Sequence, residues 1–227
     1  MGRNTRKKLI DQKPVKPPLL PKTERQAEYI KAINHSQQVV VLGPAGTGKT
    51  YIAATIAADL YELGLIDKIV LTRPNVAAGR SIGFFPGSLE EKMAPWMAPI
   101  IEVLNNRMEA GVLDTAFKNG NIEIVPFETM RGRSFNNAFV ILDEAQNTSP
   151  HEMKMFLTRV GENCKVVING DIMQSDLNER SGLTKAIHMV KKYMMPVPVI
   201  EFQVDDIVRS DLCKQWIIAW MKEEKAQ

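Results

Sequence analysis

The stretch Gln38-Val39-Val40-Val41-Leu42-Gly43-Pro44-Ala45-Gly46-Thr47-Gly48-Lys49-Thr50-Tyr51 decides the fold. A short Val-rich run reads as a strand, the glycine-dense turn as a loop, and the alanines at 53, 54, 57 and 58 as the helix that follows. Residues 43–50 match G-x-x-x-x-G-K-[ST] completely. Glycines let backbone N–H groups wrap a polyphosphate, and the helix adds its positive amino end. In that pattern Lys49 is expected to reach the β- and γ-phosphates, and Thr50 to offer its hydroxyl to Mg²⁺. Tyr51 follows the loop and completes the nucleotide-binding set Gly43–Tyr51.

Working outward, Gly64 ends the helix and Lys68–Thr72 reads as a second strand, so the unit predicts parallel pairing. Further short apolar strands are expected near 121–125, 138–142, 165–169 and 198–203. Thr23-Glu24-Arg25-Gln26 and Ser149-Pro150-His151-Glu152 carry helix-start signals. A helix beginning at Ser88 is expected to be interrupted by Pro95 and Pro99, and residues 206–224 to form a helix with Leu212, Trp216 and Trp220 on one face. The fold class is α/β: a three-layer P-loop core in which a mostly parallel sheet of about five or six strands is sandwiched by helices.

Asp143-Glu144 directly follow the apolar run Ala138–Leu142, so both acids leave the carboxyl edge of the sheet, where ligands sit in open α/β folds. Asp143 is assigned to Mg²⁺ beside Thr50, and Glu144 to orienting and deprotonating a water. An acid pair alone would mean no more than a helix start or a solvated turn; the loop upstream gives it the catalytic reading. No Asn-Lys-x-Asp guanine-reading motif occurs, so ATP is preferred over GTP.

The chain has 227 residues, 44% hydrophobic and 24% charged, which allows one sizeable core. No apolar run reaches membrane-spanning length, and a cytoplasmic location is expected. The net charge of +3 divides unevenly: residues 1–22 carry +6 and the rest −3. With Pro14, Pro17, Pro18 and Pro21, residues 1–22 read as a basic arm, either disordered or ordered on a partner, ahead of an ATPase domain at 23–227. Cys164 and Cys213 have no metal spacing and His35, His151 and His188 are isolated, so no structural zinc is expected.

Taken together, the phosphate loop, Leu-Thr-Arg-Pro at 71–74, Phe-Phe-Pro-Gly at 84–87, Met-Arg-Gly-Arg-Ser-Phe at 130–135, Val-Ile-Leu-Asp-Glu-Ala-Gln-Asn at 140–147, Met-Lys-Met-Phe-Leu-Thr-Arg at 153–159 and Gly-Asp-x-x-Gln at 170–174 resemble the PhoH (phosphate-starvation-inducible) ATPases. The resemblance covers roughly 23–220, in a minimal single-domain form. It implies a RecA-like core akin to one motor domain of the superfamily-one helicases, ATP hydrolysis, a homo-oligomeric and hexameric ring, and a role with RNA or single-stranded DNA. By the same resemblance Gln26 reads adenine, Gln174 senses the γ-phosphate, and Arg209 is an arginine finger. Each has a plainer alternative: a surface glutamine, a polar turn residue, and an Arg209–Asp205 salt bridge on a helix end. As a finger acting in trans, Arg209 requires a neighbouring subunit. Arg73, Arg80, Arg131 and Arg133, on strand-adjacent loops, are candidates either for a sugar-phosphate backbone or for subunit interfaces. Ala145 and Asn169 stand where some relatives carry hydroxyls. Beside the nucleic-acid-stimulated ATPase, two other readings are a nucleotide switch acting on a protein partner and a small-molecule kinase; Glu144 disfavours the kinase.

Overall fold

The structure, a computed structural model, describes residues 16–74, 89–175 and 181–226. Six strands form one parallel sheet: β1 Gln38–Leu42, β2 Lys68–Thr72, β3 Ile122–Ile124, β4 Ala138–Leu142, β5 Lys165–Gly170 and β6 Val199–Glu201. Their spatial order is β3-β2-β4-β5-β1-β6, and every pair is parallel. Helices α1 Glu24–His35, α2 Lys49–Glu62, α3 Leu89–Arg107 and α4 Val112–Lys118 cover one face, and α5 Pro150–Leu157 and α6 Gly182–Lys192 the other. Strand periodicity sorts the side chains between them. Val39, Val41, Ile69, Leu71, Phe139 and Ile141 point into the first core, whereas Val40, Val70, Val140 and Leu142 point into the second. The result is a three-layer α/β fold around an all-parallel sheet.

Ala53, Ala54, Ala57 and Ala58 are all buried, so α2 lies close on the sheet while α3 covers its back. Contrary to the expected interruption, α3 runs unbroken through Pro95 and Pro99. Both prolines are exposed, whereas Met93, Met97, Ile100 and Leu104 are buried. The helix therefore loses two backbone bonds where water can solvate the freed carbonyls, and keeps its packing. Ser88, the expected start, lies outside the described residues. The cap signals at Thr23 and Ser149 both form: Thr23 accepts from the Gln26 N–H, and Ser149 with Glu152 makes a full capping box.

Helices α4 and α6 were not expected from the sequence. The C-terminal helix α7, Asp211–Ala226, begins later than expected, because residues 204–206 form a separate 3-10 turn. Leu212, Trp216 and Trp220 do share a face of α7, but that face is more than 60% exposed. Residues 16–22 are no free arm either. Lys16 pairs with Glu62, the Pro17 carbonyl accepts from Arg107 at 2.6 Å, and Leu19 packs on the first core.

Candidate active site

Strand β1 ends in a loop that its own glycines shape. Gly43 (φ 131°) and Gly46 (φ 83°) occupy backbone conformations that disfavour side chains. A Cβ on Gly43 would lie 2.6 Å from the Phe202 carbonyl oxygen, and one on Gly46 2.8 Å from Cγ of Arg209. The β6–α7 connection thus lies directly on the loop, fastened by the Val208 N–H donating to the Gly46 carbonyl at 3.0 Å. Gly48 caps α2 without any side-chain bond, so the helix's first N–H groups face the loop's hollow.

Lys49 and Thr50 are the first residues of α2. The Lys49 ammonium donates to the carbonyls of Gly43 (2.6 Å) and Pro44 (2.9 Å). Burial lowers its pKa, against the opposing pull of Asp171, Asp143 and Glu144. Thr50 donates from Oγ1 to Oδ1 of Asp143 at 3.1 Å, across 93 residues of sequence. Burial, and after it the Glu144 charge, push the Asp143 carboxyl above its ordinary range; Thr50, Arg73 and Asn169 pull it back. Two hard oxygen donors beside a phosphate loop fit Mg²⁺, which keeps waters and phosphate oxygens among its ligands. Among the described residues no cluster of three or more His, Cys, Asp or Glu could hold a metal by itself.

Glu144 follows with φ 52°, a left-handed conformation uncommon for a residue with a side chain. Gln174 ends the 3-10 turn Ile172–Gln174 after β5 and, with Arg209, lines the same cavity of about 890 Å³ as Lys49, Thr50, Asp143 and Glu144. That volume suits a nucleotide-sized ligand. Gln26 and Tyr51 line it as well.

Several expectations change in detail. Gln26 is no surface residue: it is buried, donates to the Thr47 carbonyl at 3.0 Å and accepts from the Lys22 N–H at 2.7 Å. It braces the loop as well as facing the cavity. The salt bridge offered as the plainer explanation of Arg209 does not form; Asp205 sits in the 3-10 turn and pairs with Lys214 at 3.9 Å. The stem of Arg209 instead packs against Gly46 of the loop in its own chain.

The arginines separate. Arg73, after β2, lies over the Trp96 ring at 5.9 Å and acts electrostatically on Asp143, so it belongs to the loop edge. Arg133 pairs with Glu123 of the outer strand β3, which also binds Lys68 at the amino end of β2. Its guanidinium also lies over the Phe135 ring at 5.8 Å. Arg131 is exposed. Arg80, with Phe84 and Phe85, lies outside the described residues. The two cysteines are unpaired, Cys164 buried with its pKa raised to about 11 by that burial, and Cys213 exposed.

Three further residues join the site without having been assigned a role in it from the sequence. Tyr29, fully buried on α1, donates toward the Lys49 carbonyl and Oδ1 of Asn169, each at 3.3 Å. Asn169 in turn donates to Asp143 (3.4 Å) and Thr50 (3.5 Å), filling the place noted above as lacking a hydroxyl. Gln146 contacts Glu144. A polar residue inside an otherwise apolar strand was the available signal for Asn169.

A phosphate loop on a parallel sheet, with an acid pair from the second strand over, defines a P-loop nucleoside triphosphatase. Residues 18–221 match the family model described as PhoH, PhoH-like protein. The chain is 45% identical over 204 residues to a PhoH-like protein of Bacillus subtilis, covering 89% of this chain and 64% of that one. It is 44% identical over 207 residues to the protein PhoH of Escherichia coli K12, covering 89% and 58%. The chain belongs to the PhoH-like family, and spans about 60% of the length of these curated relatives. Among solved structures it is similar to the Pif1 helicase of Candida albicans, with TM-score 0.42 and 16% identity over 81% of this chain and 40% of that one. No described helix is long and apolar enough to cross a membrane.

Proposed function

We propose that this protein is a Mg²⁺-dependent ATPase of the cytoplasm, working as a homo-oligomeric ring with its turnover coupled to RNA or single-stranded DNA. The observation that carries the ATPase reading is the meeting of Thr50 and Asp143 at the amino end of α2, with Glu144 as the next residue. A triphosphate laid in the hollow would draw the Lys49 ammonium from the loop carbonyls to its β- and γ-oxygens. Thr50 and Asp143 would hold Mg²⁺, which supplies charge neutralisation to the phosphates. Glu144 orients a water and accepts its proton as the water oxygen adds to the γ-phosphorus. The bond from that phosphorus to the β–γ bridging oxygen breaks, and ADP leaves with the electron pair. Arg209 and Gln174, which line the same cavity, would meet charge on the γ-phosphoryl oxygens, Arg209 from the same chain.

Arg73 and the exposed Arg131 support the nucleic-acid coupling, and the apolar face of α7 supports self-association. That same face favours a second reading, a slow nucleotide switch acting on a protein partner. The test is ATP turnover against a panel of single-stranded RNA and DNA, with Lys49→Ala and Glu144→Gln as controls. Stimulation that both variants abolish supports the proposal. Turnover indifferent to every strand in the panel supports the switch. Sedimentation of wild type and Trp216→Glu examines the ring; an assembly insensitive to that change rejects α7 as the contact between copies.

A further inference from the structure

The acid pair is followed by a buried amide that the mechanism above does not use. Gln146 lies in the 3-10 turn Ala145–Asn147 and is 1% exposed. Its Nε2 donates to Oε2 of Glu144 at 2.5 Å, and its Oε1 accepts the Asp171 N–H at 3.0 Å. Ser175 Oγ donates to the Gln146 backbone carbonyl at 3.2 Å. The amide therefore spans from the end of β4 to the turn that follows β5. That turn carries Gln174, whose own N–H donates to the Asp171 carbonyl at 3.0 Å. Close approach depends on Gly170: a Cβ there would fall 3.1 Å from Gln146 Oε1 and 2.4 Å from Leu183 Cδ2.

A rigid amide bonded at both ends fixes the distance between what it joins. One end is a carboxylate on a left-handed residue, a conformation that holds only when the surroundings determine it. The other is a turn whose exposed glutamine faces the cavity. We propose that Gln146 is a positioning residue that aims Glu144 and ties it to the Gln174 turn, so that γ-phosphate contact at Gln174 sets where Glu144 holds its water. The donated bond engages Oε2, which directs Oε1 of Glu144 at the water's proton. The proposal rests on the hydrolysis reading of this site.

Two near-isosteric changes separate aim from shape. Gln146→Met keeps the volume and removes both bonds. Gln146→Glu keeps the acceptor for the Asp171 N–H but sets a second carboxyl against Glu144, able to donate only when protonated. In the full chain, Gln146→Met is expected to lower kcat about 10- to 100-fold, the scale of a misaimed base. KM and binding of a fluorescent ATP analogue should stay within about twofold, the scale left when only alignment is lost. Gln146→Glu should regain activity as pH falls, while wild type does not. In the Gln146→Met background, Gln174→Ala should add little. Wild-type kcat in Gln146→Met, a Gln146→Glu pH profile overlying wild type, or fully additive losses with Gln174→Ala would each overturn the proposal. Should Gln146→Met fail to fold, the pH profile of Gln146→Glu decides. Wild-type turnover in Glu144→Gln would instead overturn the hydrolysis reading, and this proposal with it; an inactive Glu144→Gln beside a fully active Gln146→Met removes this proposal alone.

Discussion

The two edges of the sheet handle charge in opposite ways. At the amino edge charges close on one another or on spare carbonyls. Glu123 holds both Lys68 and Arg133, and Lys165 donates to the carbonyls of Ile33, Asn34 and Ser36, tying off the end of α1. At the carboxyl edge, like charges are brought together. Asp143 and Glu144 are consecutive and half-buried, and the half-buried Lys49 rests on loop carbonyls. The first edge stabilises the empty protein. The second strains it electrostatically, and under the proposed function a ligand bearing phosphates and a divalent cation would relieve that strain, which marks it as the candidate functional edge.

The largest effect that could break this contrast lies in turnover. Lys49→Ala and Glu144→Gln are each expected to cut ATP hydrolysis by about 100-fold or more, since each removes a group acting on the transferring phosphoryl. Phosphate release measured over time checks this, and near-normal rates would remove the functional edge altogether. Next is ligand linkage. At 100 times its dissociation constant, Mg-ATP should stabilise the fold by about 2.7 kcal/mol, and EDTA should withdraw most of that shift. Thermal melts with nucleotide alone, metal alone and both together supply the measurement.

A substitution at each edge sharpens the comparison further. Lys165→Met removes the donor to three carbonyls and should cost about 1–2 kcal/mol in urea unfolding, with turnover unchanged. Asp143→Asn should do the reverse, stabilising the nucleotide-free protein by about 1 kcal/mol while abolishing Mg²⁺-dependent turnover. A destabilised Asp143→Asn would show that its hydrogen bonds to Thr50 and Asn169 outweigh the buried charge.

The smallest effect is the dependence of stability on acid. Burial pushes the Glu123 carboxyl up, but Lys68 and Arg133 together hold it below the ordinary carboxylate range. A depressed folded pKa contributes stability above the unfolded value, about 4.3, that is lost as pH falls through the folded value. Asp143 is raised, so its sign is opposite: it favours the folded state in acid and loses that contribution as pH climbs from about 3.9 through the folded value. Denaturation curves between pH 3 and 6 should therefore become less acid-sensitive in Glu123→Gln and more so in Asp143→Asn. Shifts of the same sign in both would erase the distinction between the edges.

Much of the functional edge is readable before folding because its chemistry is local. Residues 43–50 make their own loop, and an acid pair at the end of an apolar strand lands on the loop edge of any parallel sheet. The amino edge is not readable in this way. Glu123, Lys68 and Arg133 are ordinary charges in sequence, and only the pairing of β2 with β3 makes them partners. The same holds for Arg133 as a nucleic-acid candidate: its neighbours on the chain say nothing of the carboxylate it meets. The α3 prolines mislead for a related reason, since their cost depends on whether they face water or core.

Sequence by itself determined the phosphate loop, the alternating strands, both helix caps and the acid pair, because each depends on residues within a few positions of one another. Tertiary structure alone decided that Tyr29, Asn169 and Gln146 join the site, that Arg209 lies on the loop of its own chain, and that α7 leaves its tryptophans exposed. Those outcomes depend on which distant segments the sheet order places in contact, and no local preference of the backbone encodes that choice.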